Sequence, residues 1–301
     1  MIIKNKSRRK FINFASKIGL VYASGLFGKE FIGNGMNANA LEADFFFLQL
    51  SDIHWGFKDD KINPFSDKTF KKAIDQVNSL KKQPDFIIFT GDLTDITDDE
   101  NERRKRMQEF KEIVKNLKVK NVKFIPGEHD ASLDNGKVYK EFFGETYYSF
   151  KHKGINFISI DNVSDPTSSI GEVQIEWIKN ELSKLNPKEP LVVFTHRPLF
   201  DLMPAWDWAT KDGSKVISLF EKFDNVHVFY GHIHQTNYKN DGKIKHHASN
   251  SLIFPLPAPG SLPKKIKIPW NSNKPFENLG YTMGTVEEKS KAIAIKDIEL
   301  K

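Results

Sequence analysis

The sequence predicts an α/β domain. From Asp44 onward, apolar runs of four to six residues alternate with longer charged stretches of helical period, the pattern of strands interleaved with helices. The apolar runs are rich in Phe, Ile and Val, which suit buried strands. At 301 residues, 39% hydrophobic and 12% aromatic, the chain is long enough to cover both faces of a sheet system.

Taken in order, the buried strands are expected at 45–50, 86–90, 122–125, 155–160, 191–195 and 226–230, where Phe, Ile, Val and Leu dominate. The stretches 67–82, 99–117, 171–185 and 213–223 read as helices with polar outer faces. Beyond residue 244 the pattern shifts. Residues 244–249 and 251–254 read as strands, 255–275 is a loop with six prolines, and 280–287 with 292–299 form an antiparallel edge around a Lys289-Ser290 turn. There are no repeats and no dividing linker, so 41–301 reads as a single domain with its core at 44–235 and added strands and loop at 244–301.

The chain has no cysteine, which excludes disulfides, thiolate metal sites, iron–sulfur clusters and cysteine nucleophiles. Any metal must sit on nitrogen and oxygen. The net charge of +6 is confined to residues 1–40, which hold seven basic residues and one acid. The body is therefore balanced, and no nucleic-acid partner is expected.

Those forty residues read as an export signal: a basic start, an apolar run at 18–28, and small residues at Ala38 and Ala40. The run is shorter than the ~20 residues that a membrane helix needs, so no stable span is expected in the mature chain. Ser7-Arg8-Arg9-Lys10-Phe11-Ile12 resembles a bacterial twin-arginine signal, with Ile12 and Asn13 in place of the usual leucine and lysine. A basic tail or an uncleaved anchor is the competing reading. The mature chain is expected to begin near Leu41, to be periplasmic or exported, and to use the twin-arginine machinery as a partner.

Five of the nine histidines follow predicted strands. The strands end in Asp52-Ile53-His54, Gly91-Asp92, Gly127-Glu128-His129-Asp130, His196 and Gly231-His232-Ile233-His234. Ligands of α/β sheets gather beyond the carboxyl ends of strands, so these residues should converge. In extended backbone i and i+2 side chains share a face, so Asp52 with His54, and His232 with His234, each read as a two-toothed ligand. Singly, each motif is as easily a turn or a buried histidine. Five in order are not.

On these motifs the chain resembles the calcineurin-like metallophosphoesterase superfamily, whose signature runs Asp-x-His, Gly-Asp, Gly-Asn-His-Asp/Glu, His, Gly-His-x-His. The likeness covers residues 44–235. It implies a four-layer α/β/β/α sandwich of two mixed sheets and a pair of metal ions of the Fe, Mn or Zn type. One ion would be held by Asp52, His54 and His234, the other by Glu128, His196 and His232, with Asp92 bridging. His129 would protonate the leaving oxygen and Asp130 would orient it. Two cations ~3.5–4 Å apart can share a hydroxide and clamp phosphoryl oxygens, and imidazole and carboxylate suit such ions. Arg197 could contact a phosphate oxygen bidentately, or could be a structural arginine.

The chain departs from the signature at Glu128, where the family carries asparagine. Ionised, Glu128 lowers the charge of a divalent pair with hydroxide from +1 to zero. A trivalent ion, a less charged diester substrate, or a centre that keeps its metals without catalysis would each accommodate this. The tyrosine ligand of purple acid phosphatases is absent, because Leu93, Thr94 and Asp95 follow Asp92. Trp206 and Trp208 suit either stacking on a base or packing. The expected function is hydrolysis of small-molecule phosphate mono- or diesters by a monomeric or weakly associating protein. The alternative is a non-catalytic metal-binding or interaction protein on the same scaffold, which turnover separates.

Lysine at both Arg8 and Arg9 should leave full-length precursor in the cytoplasm. Fractionation that finds mature protein in the periplasm at undiminished level would refute the export assignment.

Overall fold

A computed structural model describes residues 45–287 and 289–301; the expected signal at 1–40 and the start near Leu41 lie outside the described residues. In chain order the elements are β1 (Phe45–Leu50), α1 (Ser66–Asn78), β2 (Phe86–Thr90), α2 (Glu100–Val114), β3 (Val122–Ile125), α3 (Glu128–Ala131), α4 (Lys137–Phe143), β4 (Tyr148–His152), β5 (Ile155–Ser159), α5 (Glu172–Ser183), β6 (Leu191–Phe194), α6 (Gly213–Phe220), β7 (Val226–Tyr230), β8 (Asn237–Asp241), β9 (Ile244–Ala248), β10 (Gly280–Glu287) and β11 (Ala292–Glu299). They build two mixed sheets, ordered β11-β10-β1-β2-β3 and β4-β5-β6-β7-β9-β8.

The period of two along β1 explains why the sheets face each other. Phe45 and Phe47 meet Phe86, Phe157, Phe194 and Phe229 in a core between the two sheets. Phe47 sits at its centre, parallel to Phe86 at 5.1 Å and edge-on to Phe229 at 5.3 Å and Phe194 at 5.6 Å. On the outer face of the first sheet Phe89 of β2 packs edge-on against Phe70 of α1 and Phe110 of α2. Phe70, Ala73, Ile74 and Val77 make the buried stripe of α1, and Asp99 caps α2 by accepting from the amides of Asn101 and Glu102. On the outer face of the second sheet Ile158, Val193 and Val228 pack against Ile175 and Ile178 of α5 and Val216 of α6. The result is a four-layer α/β/β/α sandwich. No helix among the described residues is long and apolar enough to cross a membrane.

The sequence reading needs five local corrections. Residues 251–254 are not a strand: the Ser251 hydroxyl accepts from the amides of Ile253 and Phe254 and donates to the Phe254 carbonyl, so the side chain takes the bonds a ladder would use. β8 carries only polar residues and tyrosine, so no apolar run announced it. β4 was missed for its short alternation, and joins β5 through Lys153 and Gly154, both at positive φ as a tight hairpin turn requires. β3 is an edge strand, half-buried rather than buried. The basic run Arg103-Arg104-Lys105-Arg106 on α2, which by sequence reads most simply as a solvated face, is only partly one: Arg103 turns inward onto Asp134 at 3.2 Å, and Arg106 donates to the Asp95 carbonyl at 3.0 Å.

Phe47→Ala should lower unfolding free energy by about 3–5 kcal/mol, because the hole lies between two sheets that cannot both close on it. A urea titration with unchanged slope and a lowered midpoint checks this; a loss under ~1 kcal/mol would show that the inter-sheet core tolerates collapse.

Candidate metal centre

The carboxyl ends of β1, β2, β3, β6 and β7 open on the same region, and the loops after them are hydrogen-bonded to one another. The amides of Ile53 and His54 both donate to the Asp92 carbonyl at 2.9 Å, and Trp55 and Thr94 pair as a short parallel bridge. Asp52 accepts from the His232 amide at 3.0 Å, and Asp92 from the His129 amide at 3.0 Å. The approach is so close that a Cβ on Gly127 would overlap the amide and carboxylate of Asp92, and one on Gly231 would overlap Ser51. Five of the site residues turn sharply here: Asp52, His54, Asp92, His232 and His234 have φ of 55°, 47°, 47°, 65° and 52°. The extended pairs expected from the sequence are therefore absent, and each side chain is aimed by its own left-handed turn.

Three groups of side chains have ligand atoms within 4.8 Å of one another; one is His54, Asp95 and His129, and the other two share Asp92. Of these two, Asp52, His54, Asp92 and His234 form the first; Asp92, Glu128, His196 and His232 form the second. Asp92 belongs to both, and His232 and His234 part company. All members of these two are buried except Glu128, which is partly so.

The hydrogen bonds fix which nitrogen of each histidine is free. His196 Nδ1 lies 2.7 Å from the Thr90 carbonyl, His234 Nδ1 2.8 Å from the Phe254 carbonyl and His232 Nε2 2.9 Å from the Asp207 carbonyl. A carbonyl only accepts, so each of these nitrogens carries the proton and the opposite one presents a lone pair to the cluster. His54 Nδ1 lies 3.3 Å from Asp95 Oδ1, which turns Nε2 into the cluster, 3.4 Å from Asp92 Oδ2 and 3.2 Å from His234 Nε2. Burial opposes ionisation of Asp52, Asp92 and Glu128, but the neighbouring histidines outweigh it and hold all three carboxyls below their ordinary range. Burial also opposes a charged His196, yet Asp92 and Glu128 raise its pKa well above normal, so that without a cation in the cluster Nε2 takes up a proton where a metal ion would otherwise use its lone pair.

That balance calls for a cation. Glu128 Oε2 and His196 Nε2 are 2.9 Å apart, both buried, and neither has a hydrogen-bond partner among the described residues. Lone pairs of imidazole and carboxylate brought this close, with the outer nitrogens pinned on acceptors, are what a nitrogen–oxygen metal site consists of. The donor set fits metal ions.

His129 sits 25% exposed beside the cluster, its Nδ1 accepting from the Ile96 amide at 3.0 Å with Asp95 Oδ1 at 3.3 Å. Burial lowers its pKa, but Asp92, Asp95 and Glu128 outweigh this and raise it to about 9. An imidazolium there carries a proton on both nitrogens, so Nδ1 then takes Asp95 in place of the amide. The carboxylate facing His129 is thus Asp95, which the sequence reading passed over. Asp130 instead accepts from the amides of Gly127, Leu93 and Thr94 and from the Thr94 hydroxyl, clamping two loops together. It has no hydrogen bond to His129. Burial and the nearby Asp92 push its pKa up to about 6.

Arg197 is 4% exposed and does not line the cavity, so it is not set to meet a phosphate oxygen. Its Nη1 is 2.7 Å from Asp207 Oδ1 and 3.1 Å from the Asp207 carbonyl, and its Nε is 3.6 Å from Glu128 Oε2. Glu128 Oε1 is in turn 2.8 Å from His232 Nδ1. Glu128, His232, Asp207 and Arg197 therefore close a ring. The buried Trp206 and Trp208, edge-on at 5.0 Å, anchor Asp207 at φ 66° so that its carbonyl serves two donors. They pack and are not exposed for stacking.

The cavity before the cluster measures about 160 Å³ and includes His129, Phe254, Leu256, Lys265 and Lys267 in its lining. His246 and His247 lie elsewhere. His247 Nε2 is 3.2 Å from His227 Nδ1, and His246 packs edge-on against Phe200.

The chain is 30% identical over 138 residues to a probable glycerophosphodiester phosphodiesterase of Arcobacter nitrofigilis, covering 44% of this chain and 48% of that one. It is 24% identical over 181 residues to a serine/threonine-protein phosphatase of Danio rerio, covering 55% and 59%. These matches span about half the length of the curated relatives. Among solved structures, a dimetal phosphatase from Danio rerio superposes with a TM-score of 0.58 at 13% identity, over 86% of this chain and 99% of that one. A purple acid phosphatase from yellow lupin gives 0.54 at 15% identity, over 85% and 53%. Both show the shared fold. The profile of the calcineurin-like phosphoesterase family matches residues 47–236, more than half of the sequence, and the chain belongs to that family.

Proposed function

We propose that the protein hydrolyses phosphate esters at a dinuclear metal centre formed by the two groups that share Asp92. The observation that carries this reading is the set of four imidazole lone pairs, each aimed inward because its other nitrogen donates to a carbonyl or to Asp95. Asp52, His54 and His234 would hold one ion, Glu128, His196 and His232 the other, with Asp92 between them. When bound, such ions supply Lewis acidity and a hydroxide nucleophile. Asp52, Asp92 and the backbone amides on them keep the ligands in register, and His129 faces the cavity to protonate the leaving oxygen. Cations near Asp92 and Glu128 would offset the carboxylates that raise the His129 pKa, bringing it closer to the working pH of a general acid. The phosphodiesterase and phosphatase names of the relatives support the reaction class, and residues 7–12 and 38–40 support export.

Arg197 changes the reading of Glu128. The carboxylate adds one negative charge relative to asparagine, and the guanidinium beside it adds one positive charge. A divalent pair then needs no trivalent ion to keep the site cationic toward an anionic ester.

His129→Ala should lower turnover by ~10²- to 10⁴-fold while metal content stays near that of wild type, whereas Asp92→Ala should lose metal. Metal analysis and hydrolysis of 4-nitrophenyl phosphate and its bis-ester under Mn, Fe and Zn loading test both. Intact metal binding without hydrolysis of any ester would support the non-catalytic alternative.

Glu128→Asn should raise the monoester-to-diester ratio of kcat/KM by on the order of tenfold, since one unit charge acting ~10 Å away at an effective dielectric of ~20 is worth ~1.7 kcal/mol. Glu128→Asn with Arg197→Met should return the ratio toward wild type. A single variant with unchanged metal identity, stoichiometry and ratio would show that Glu128 does not act on the centre.

A further inference from the structure

Two cations at the mouth of the centre have no role in the chemistry above. Lys265 and Lys267 line the same cavity as His129, Glu128 and His232, and come from the proline-rich stretch rather than from any motif. They lie two apart in a segment with no helical or strand bonding, and both reach the cavity, while Ile266 between them is 52% exposed. The segment is held at both limbs. Gln235, next to His234, donates to the Pro257 carbonyl at 2.9 Å, and the Ile268 amide donates to the Pro255 carbonyl at 3.1 Å. Lys267 is placed further by two rings, its ammonium 4.4 Å from the centre of Phe57 and 4.9 Å from that of Phe254, and Phe254 itself stacks on His234 at 4.6 Å. Neither lysine has a carboxylate partner among the described residues, whereas the lysines of the helices commonly do.

Two ammonium groups lining one cavity repel each other, and the carboxylates in the same lining belong to the metal ligand set. A group with negative charge beyond the scissile phosphate would relieve the first without disturbing the second. We propose that Lys265 and Lys267 form a second anion subsite, so that the preferred substrates are phosphate esters bearing a further phosphate or carboxylate. This rests on the phosphoesterase reading and narrows its substrate class.

The test reads binding separately from turnover. With metal-loaded full-length protein, calorimetry compares propylphosphonate with 3-phosphonopropionate and propane-1,3-bisphosphonate, which share one phosphonate and differ in the second group. The doubly anionic ligands should bind about tenfold more tightly, with the advantage shrinking as KCl is raised, as expected of partly exposed charges. Comparing the carboxylate with the phosphonate identifies the favoured group. Lys265→Gln with Lys267→Gln should abolish the advantage while leaving metal content and propylphosphonate affinity unchanged; both side chains are exposed, so the fold should tolerate the change.

Equal affinities in the wild type, or an advantage that survives in the double variant, would overturn the subsite. So would loss of binding to phosphatidylglycerol vesicles in the variant with ligand preference intact, which would assign the lysines to a membrane surface. If no ester is hydrolysed but the lysine-dependent preference holds, the subsite stands and the hydrolytic reading falls.

Discussion

Seven electron-pair donors, four imidazole nitrogens and three carboxylates, face one another in a largely buried volume, and two of the facing atoms, Glu128 Oε2 and His196 Nε2, have no hydrogen-bond partner among the described residues. Such a cluster is unstable unless each member is held from behind and a cation lies within. The structure holds them from behind. Three main-chain carbonyls and Asp95 take the outer protons of the histidines, and backbone amides of His129 and His232 bond to Asp92 and Asp52. The sandwich supplies the rigid frame, because five strands from both sheets end at one edge and their loops bond to each other rather than to solvent.

The cost of this arrangement is local strain. Left-handed φ at five of the ligand-type residues disfavours each by on the order of 1 kcal/mol, and none is glycine. The inter-sheet aromatic core and the clamp made by Asp130 offset it, since the core fixes the strands from which the loops leave and Asp130 ties the loops after β2 and β3 to each other. Asp130 thus serves the site through the backbone. It fixes where the loops after β2 and β3 lie, and so where Asp92 and Glu128 point.

Glu128 belongs to a unit larger than the ligand set. Its two oxygens face His232, His196 and Arg197, and Arg197 and His232 share the carbonyl of Asp207. Alone, the Glu128 carboxylate would be a largely buried negative charge; part of its compensation comes from Arg197, the residue directly after His196 in sequence. The paired tryptophans then make sense as the anchor of the turn that presents Asp207, which is why they are buried rather than offered to a ligand.

Much of this was legible in the residues. Phe45–Leu50, Phe86–Thr90 and Val226–Tyr230 fall where apolar runs placed them, because a buried strand demands several apolar side chains close together whatever surrounds it. The histidines and acids after those runs marked the site, because strand ends in such folds open on a common edge. Other features carried no such mark. A main-chain carbonyl is the same in every residue, so nothing in the sequence singled out Thr90, Asp207 or Phe254 as the partners that set histidine tautomers. Asp95 looked like one more acid until the fold set it against His54 and His129. By strand alternation alone His232 and His234 read as one two-toothed ligand, whereas the family resemblance put them on different ions; the left-handed turns place them in different groups. The environments of Arg197 and of Lys265 and Lys267 depend on contacts with residues far away in the chain, as Glu128 is from Arg197. Local periodicity encodes which residues are buried and in what element; it does not encode which charge comes to rest beside which, and that arises only when separate loops are brought to one edge and packed.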